Sequence, residues 1–325
     1  MTVPANIVSS VTTGGAGYAN VGIREDLEDN IYRVAPEETP FVSNIGTVKA
    51  SSTYHEWQTE DLAAASATNA QLEGDDYGLG APNLTTRLGN TCQILAKSGG
   101  VSRTQEVVNK AGRSSELARQ KVLKTIEMKR DLEARAIGNY AAVAESGSTT
   151  RKLAGILAFI TSNDNRGVSG SDGGFSAAPG PAAATPGTQR TFTEALVKAT
   201  LATTFGNGGR PTQAYMSPTH KQQFSAFTGI ADIRSEVRGK SMATITGAAD
   251  VYVSDFGALT LIPHAYGLTR DCVLVDPKMA AIATLDGLKS KTLASTGDNE
   301  KFLLTMEKTL VIRNQKAHAV IADLT

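Results

Sequence analysis

Residues 114–144 read SSELARQKVLKTIEMKRDLEARAIGNYAAVA, and the architecture is worked out from this stretch. Ser114 or Ser115 can cap a helix, and Glu116 puts a negative charge in the first turn, where the helix dipole favours it. Ala118, Val122 and Ile126, then Leu132, Ala136 and Tyr140, recur at near-helical spacing. Lys129–Glu133 and Asp131–Arg135 stand at i,i+4 on the side expected to face solvent. With no proline, and no glycine before Gly138, the spacing predicts one helix to about Ala144, roughly 45 Å long at 1.5 Å per residue. A helix of that length outgrows an ordinary small-domain core and serves as a spine.

Upstream, Thr53–Thr59 alternates with period two, His55, Trp57 and Thr59 on one face and Tyr54, Glu56 and Gln58 on the other. A second alternating segment sets Leu88, Cys92, Ile94 and Ala96 against Arg87, Thr91 and Gln93. Between them lies a polar stretch, Glu60–Pro82, with an acidic tip of Glu73, Asp75 and Asp76 among glycines. This is a long two-stranded projection, and a lone hairpin is marginal in water, so it needs another surface to lie on. Residues 1–50 read as an extended arm. Met1–Gly22 shows no period, Arg24–Tyr32 is charged with Leu27 and Ile31 four apart, and Pro36 and Pro40 then disfavour helix.

Downstream, Asn163–Gln189 is of low complexity and reads as a surface excursion with little structure. Thr191-Phe192-Thr193-Glu194 matches a capping box for a helix running to Phe205, and Ser217-Pro218 opens another. Short strands are expected at Gln213–Met216, Val251–Ser254, Leu259–Ile262 and Cys272–Val275, making 190–285 one α+β unit. Strand character returns at Phe302–Glu307 and again at Ala317–Ile321.

Chemistry is sparse. Lys+Arg and Asp+Glu are both 32, and a chain with no basic excess is poorly suited to coating nucleic acid. Cys92 and Cys272 are too few for a disulfide framework or a zinc knuckle. His55, His220, His264 and His318 lack metal-ligand neighbours and read as surface or half-buried imidazoles. Gly206-Asn207-Gly208-Gly209 precedes a strand, the wrong order for a phosphate loop. No signal peptide and no apolar run of membrane-spanning length is seen. No catalytic, metal or cofactor site is expected. The rival enzyme reading rests on Glu73, Asp75 and Asp76 near His55 and lacks a nucleophile–base pair.

The candidate functional residues are therefore contact residues. Trp57 stands at the base of the projection, either against a second subunit or in a local clasp with Tyr54 or Ile94, and Arg87 lies on the returning strand. The acidic tip can dock on Lys121, Lys124, Arg130 or Arg135 of the spine, or on Arg234 or Arg238. Two projecting parts without a core of their own describe an obligate assembly subunit.

The sequence also resembles the major capsid proteins of tailed bacteriophages with the α+β Hong Kong 97-type (Johnson) fold. The resembling stretches are Arg24–Leu27, Glu38–Phe41 and Ile45-Gly46, Glu56–Thr59 with Leu62–Ala65, and Leu88–Asn90 with Gln93-Ile94. They continue with Val101-Ser102, Thr104–Glu106, Lys129–Glu133, Val251–Gly257, Thr296–Asp298 and Lys316–His318. The resemblance implies an N-terminal arm (1–50), an extended β-hairpin loop (51–100) and a peripheral domain with the spine helix (101–150). It further implies an axial α+β domain (151–285, with the insertion at about 163–189) and peripheral return strands (286–325). It implies a virion protein, assembled in the bacterial cytoplasm, whose pentamers and hexamers close an icosahedral shell around double-stranded DNA held weakly and without sequence specificity. A separate scaffolding protein is expected, because the matching arm begins near Arg24, together with a portal and a possible decoration protein. The same fold also serves encapsulin-type compartments, the alternative.

Overall fold

A computed structural model of the chain describes residues 35–74, 76, 78, 80–174, 178–227 and 250–325. Within them the arm is already folded from its second proline onward. Pro40 opens a short helix, α1 (Pro40–Asn44), and β1 (Gly46–Lys49) follows. Phe41, Ile45 and Ala50 are buried, and β1 runs parallel to a strand from far down the chain, Gly46 opposite Ala281. The expectation of an extended arm to residue 50 fails here because distant apolar surface covers this segment.

β2 (Tyr54–Thr59) and β3 (Thr86–Thr91) pair antiparallel as a two-stranded sheet of their own, with Tyr54 opposite Thr91 and Thr59 opposite Thr86. The second alternating segment does not continue as one strand. Cys92 donates its N–H to Thr53 O (2.8 Å), and the chain restarts as β4 (Gln93–Ser102) in another sheet. The break resets the alternation: Cys92 is buried, but Ile94 is exposed and Leu95 faces the core.

After α2 (Arg103–Val107), α3 (Glu116–Ile137) is the spine, capped by the Ser115 side chain, which accepts the Ala118 N–H. It ends at Gly138 and not near Ala144, so its 22 residues span about 33 Å. Close packing explains the stop: Gly155 passes so near that a Cβ there would lie 2.0 Å from the Gly138 carbonyl oxygen. The buried stripe is Met128, Leu132, Ala136 and Ile137, whereas Val122 of the expected apolar row is exposed.

The wholly buried α4 (Ile156–Phe159) leads to β5 (Asp164–Asn165). The stretch beyond it is held, contrary to the expected loose excursion. The Asp323 carboxylate accepts the Gly167 and Gly187 N–H groups (3.0 and 2.8 Å) and an Arg270 guanidinium N–H (3.0 Å). α5 (Glu194–Gly206) starts later than the capping box predicts, with Thr193 at the N-cap and no side-chain cap bond. β6 (Gln213–Met216) and α6 (Pro218–Ser225) fall as expected, the Ser217 hydroxyl accepting the His220 N–H. Then come β7 (Val251–Ser254), β8 (Gly257–Pro263), β9 (Cys272–Val275), β10 (Ala280–Leu293), β11 (Asn299–Ile312) and β12 (Ala319–Ile321).

The strands form a four-stranded sheet, β1-β10-β11-β4, and a six-stranded sheet, β5-β12-β9-β6-β8-β7. β12 leaves its neighbours β10 and β11 and inserts between β5 and β9. One core gathers around the inner face of α3, α4 and the β10–β11 hairpin. A second lies between the six-stranded sheet and α5 and α6, built on Phe192, Val197, Phe224 and Leu274.

Candidate functional site

The root of the hairpin, strands β2 and β3, lies against the body from Asn90, which donates to the Ala154 and Leu310 carbonyls, to Asp61 beside Lys316. Trp57 is half-buried, its ring 6.0 Å from Phe159 of α4 and 6.1 Å from His55. The clasp is thus with Phe159, not with Tyr54 or Ile94; Tyr54 lies on the other face, over Gly89, where a Cβ would sit 2.6 Å from its ring. The Trp57 indole Nε1 is buried with no hydrogen-bond partner among the described residues. Lys316 ties down the start of the loop through Asp61 (2.8 Å), and Arg87 stands 3.9 Å from Glu56 across the strands, both exposed.

Beyond that root, the described residues of 60–85 are exposed. Glu73 and Asp76 lie on this surface, and Asp75 is outside the described residues. Leu62, Leu72 and Leu84, 90%, 76% and 82% exposed, are contact candidates that the charge pattern drew attention away from. A single exposed leucine means nothing, but three on one polar loop mark a surface made to be covered. Their signal in the sequence was large aliphatics in a stretch otherwise built of Ala, Gly and polar residues.

The structure does not bring the tip and the spine cations together. Lys124 pairs with Glu127 (3.0 Å). Arg135 donates to the Leu153 and Ala141 carbonyls (both 2.8 Å) and stacks 4.4 Å over Tyr140. Lys121 and Arg130 lie over ring faces, Phe302 at 5.7 Å and Tyr266 at 5.3 Å. Arg234 and Arg238 lie outside the described residues.

Both expected solvent-facing pairs on the spine are replaced. Asp131 pairs with Lys97 (2.8 Å), and Glu133 turns inward. Its carboxylate accepts the N–H groups of Phe41 (2.7 Å) and Val42 (2.8 Å), capping α1, whose own N-cap Thr39 makes no side-chain capping bond. His264 Nε2 lies 2.7 Å from the same carboxylate and donates to it, while Nδ1 faces the backbone of Tyr266. This centre joins arm, spine and the segment after β8. His220, His264 and His318 are all buried, against the expectation of surface or half-buried rings. Burial lowers His318 to about 4, so it stays neutral near pH 7.

The thiols are poor nucleophiles here, because burial pushes Cys92 up to about 11 and Cys272 up to about 12. Among the described residues, no group of His, Cys, Asp and Glu could hold a metal ion, and no helix is long and apolar enough to cross a membrane.

A family model described as SU10 major capsid protein matches residues 8–325. The major capsid protein of Escherichia phage Phieco32 is 39% identical over 116 residues, 36% of this chain and 33% of that protein, so the match spans about a third of the curated relative. A solved cyanophage A-1(L) capsid asymmetric unit superposes with TM-score 0.60 at 12% identity, over 93% of this chain and 97% of that one. Phage G major capsid proteins, solved with decoration proteins, give TM-score 0.51 at 12% identity, over 93% and 96%. At these identities the two structures speak for the fold.

Proposed function

This chain belongs to the SU10 major capsid protein family, and from that premise we propose that many copies of it close the icosahedral shell of a tailed-phage head. Its fold is the α+β, Hong Kong 97-type fold of phage capsid proteins. The observation that carries the assembly reading is the β2–β3 hairpin. Among the described residues it has no third strand, and its loop exposes Leu62, Leu72 and Leu84. Its strands pack on the chain's own body through Trp57 and Asn90, so what a second surface has to cover is the loop beyond them. A neighbouring subunit supplies that surface, and Trp57, at the root, feels its arrival.

In this reading the parts take the roles of arm, extended loop, peripheral domain and axial domain, with pentamers and hexamers as the intermediate rings. The tip acids Glu73, Asp75 and Asp76 reach a neighbour's Lys121 or Arg130, whose partners among the described residues are ring faces and not carboxylates. Zero formal net charge suits a shell that holds double-stranded DNA weakly. A scaffolding protein and a portal complete the assembly, and decoration proteins, as in the Phage G structure, are compatible partners.

Light scattering on purified protein, with electron microscopy of the same fractions, tests this. Closed particles or rings of five and six subunits are expected, with Trp57 fluorescence differing between free and assembled protein. A well-folded monomer at every concentration would refute assembly. Replacing Glu73, Asp75 and Asp76 together by Lys should leave the far-UV circular dichroism unchanged and block or misdirect assembly at low salt.

A further inference from the structure

The inward turn of Glu133 leaves a gap in the charge pattern of the spine. Lys129, its expected i,i+4 partner, has no carboxylate within ion-pair distance among the described residues, and neither does Lys308 of β11. Both lysines line one groove of ≈ 180 Å³, between α1, α3 and the β10–β11 hairpin. Its floor is apolar, from Val42, Met128, Leu132 and Met306, and among the described residues no acidic one lines it. The volume is more than ten times the roughly 10–15 Å³ that one water needs, so side chains fit. Lys308 is half-buried there, and its pKa is lowered by burial and then by the charge of Lys129.

We propose that this groove seats the segment Arg24–Tyr32 of the chain's own arm, with Leu27 and Ile31 on the apolar floor and its carboxylates on Lys129 and Lys308. Three observations select this occupant. The segment carries Glu25, Asp26, Glu28 and Asp29 around Leu27 and Ile31, which complements an apolar floor with two uncompensated cations. Thr39, only seven residues after Tyr32, itself lines the groove. Seven residues span at most about 25 Å when fully extended, and the twelve from Leu27 to Thr39 about 43 Å, so both apolar anchors can reach the groove. The placement is within one chain and does not depend on shell formation.

Zero-length carbodiimide cross-linking of the dilute, unassembled full-length subunit, with peptide mapping, tests it. The pairs Lys97–Asp131 and Lys316–Asp61, each 2.8 Å apart, serve as internal controls. The expected products join Lys129 or Lys308 to a carboxylate of 25–29. If the controls link while both lysines stay unlinked, or link instead to Glu73 or Asp76, the proposal is wrong. In an equal mixture of heavy-isotope and unlabelled subunits the links should stay within one label, and heavy–light links would overturn the own-chain placement. The double substitution Leu27→Asp and Ile31→Asp should cut the yield at least tenfold with the controls unchanged. An unchanged yield would overturn the seating on the apolar floor. Because the readout is made on the subunit, failure to form particles would count against the shell function and leave this test standing.

Discussion

Glu133→Ala should be among the most damaging single changes on the spine, and its cost can be worked from the centre it would dismantle. The carboxylate accepts two backbone N–H groups and one imidazole N–H, at 2.7, 2.8 and 2.7 Å. Each buried donor left without an acceptor costs about 1–3 kcal/mol, and Val42, which is only half-buried, can recover part of its loss from water. Summed over two buried donors and one that water partly recovers, the expected destabilisation is about 3–5 kcal/mol. Asp131→Ala, two residues away, is the control. Its pair with Lys97 is partly exposed, so about 0.2–1 kcal/mol is at stake. In urea unfolding of the unassembled subunit followed by circular dichroism, a slope near 3 kcal/mol/M converts these into midpoint shifts of roughly 1–1.7 M against less than about 0.3 M. Glu133→Gln should fall between, since the amide accepts one N–H but turns its own NH₂ toward another donor. If Glu133→Ala shifts the midpoint no more than Asp131→Ala, the carboxylate is not what holds the arm.

Three further outcomes are expected. Cys92 and Cys272 should react with a thiol reagent only after unfolding, since burial pushes both well above neutral pH; labelling of the native subunit within minutes would contradict their burial. Gly155→Ala would set a Cβ 2.0 Å from the Gly138 carbonyl and should destabilise by about 1–3 kcal/mol or more, whereas Gly206→Ala, with nothing within 4 Å, should stabilise by about 0.4–1 kcal/mol. Thermal melts of the two variants must move in opposite directions. Asp271, mostly buried, has its folded pKa raised to about 6, first by burial and then by Asp323. Its folded form therefore holds a proton that the unfolded chain has released, and stability falls as pH rises from about 4 to about 6. Asp271→Asn should remove that slope and be more stable than the parent by up to about 2–3 kcal/mol at pH 8, checked by urea unfolding across pH.

Elements set by a few neighbouring residues were legible. Gln213–Met216 and Cys272–Val275 match their strands residue for residue, and Ser217 caps α6 through its own hydroxyl. The spine helix was legible in kind and in its start at Ser115. Its end was not, because Gly138 stops it through contact with Gly155, which the period of 114–144 does not contain, and of the expected apolar row Leu132 and Ala136 are buried while Val122 is exposed. The alternation through Cys92 failed for a related reason. β3 belongs to β2 and β4 belongs to β11, so one residue serves as the joint between two sheets and the inward parity changes there.

Glu133 shows where the boundary lies. Read locally, it is the fourth residue after Lys129 and completes an exposed pair. What draws it inward lies 92 residues upstream at Phe41 and 131 downstream at His264, at separations no helical pattern encodes. Among the described residues Lys129 is left without a carboxylate partner as a result, and it shares a groove with Lys308. The hairpin loop poses the converse case. Period two and polar composition marked it as a projection, and the structure adds three exposed leucines but no cover within the described chain. In the proposed shell, a surface of that kind is determined jointly by two copies. One copy's sequence can show that a contact is owed, and only the complementary face of the next copy can say where it is made.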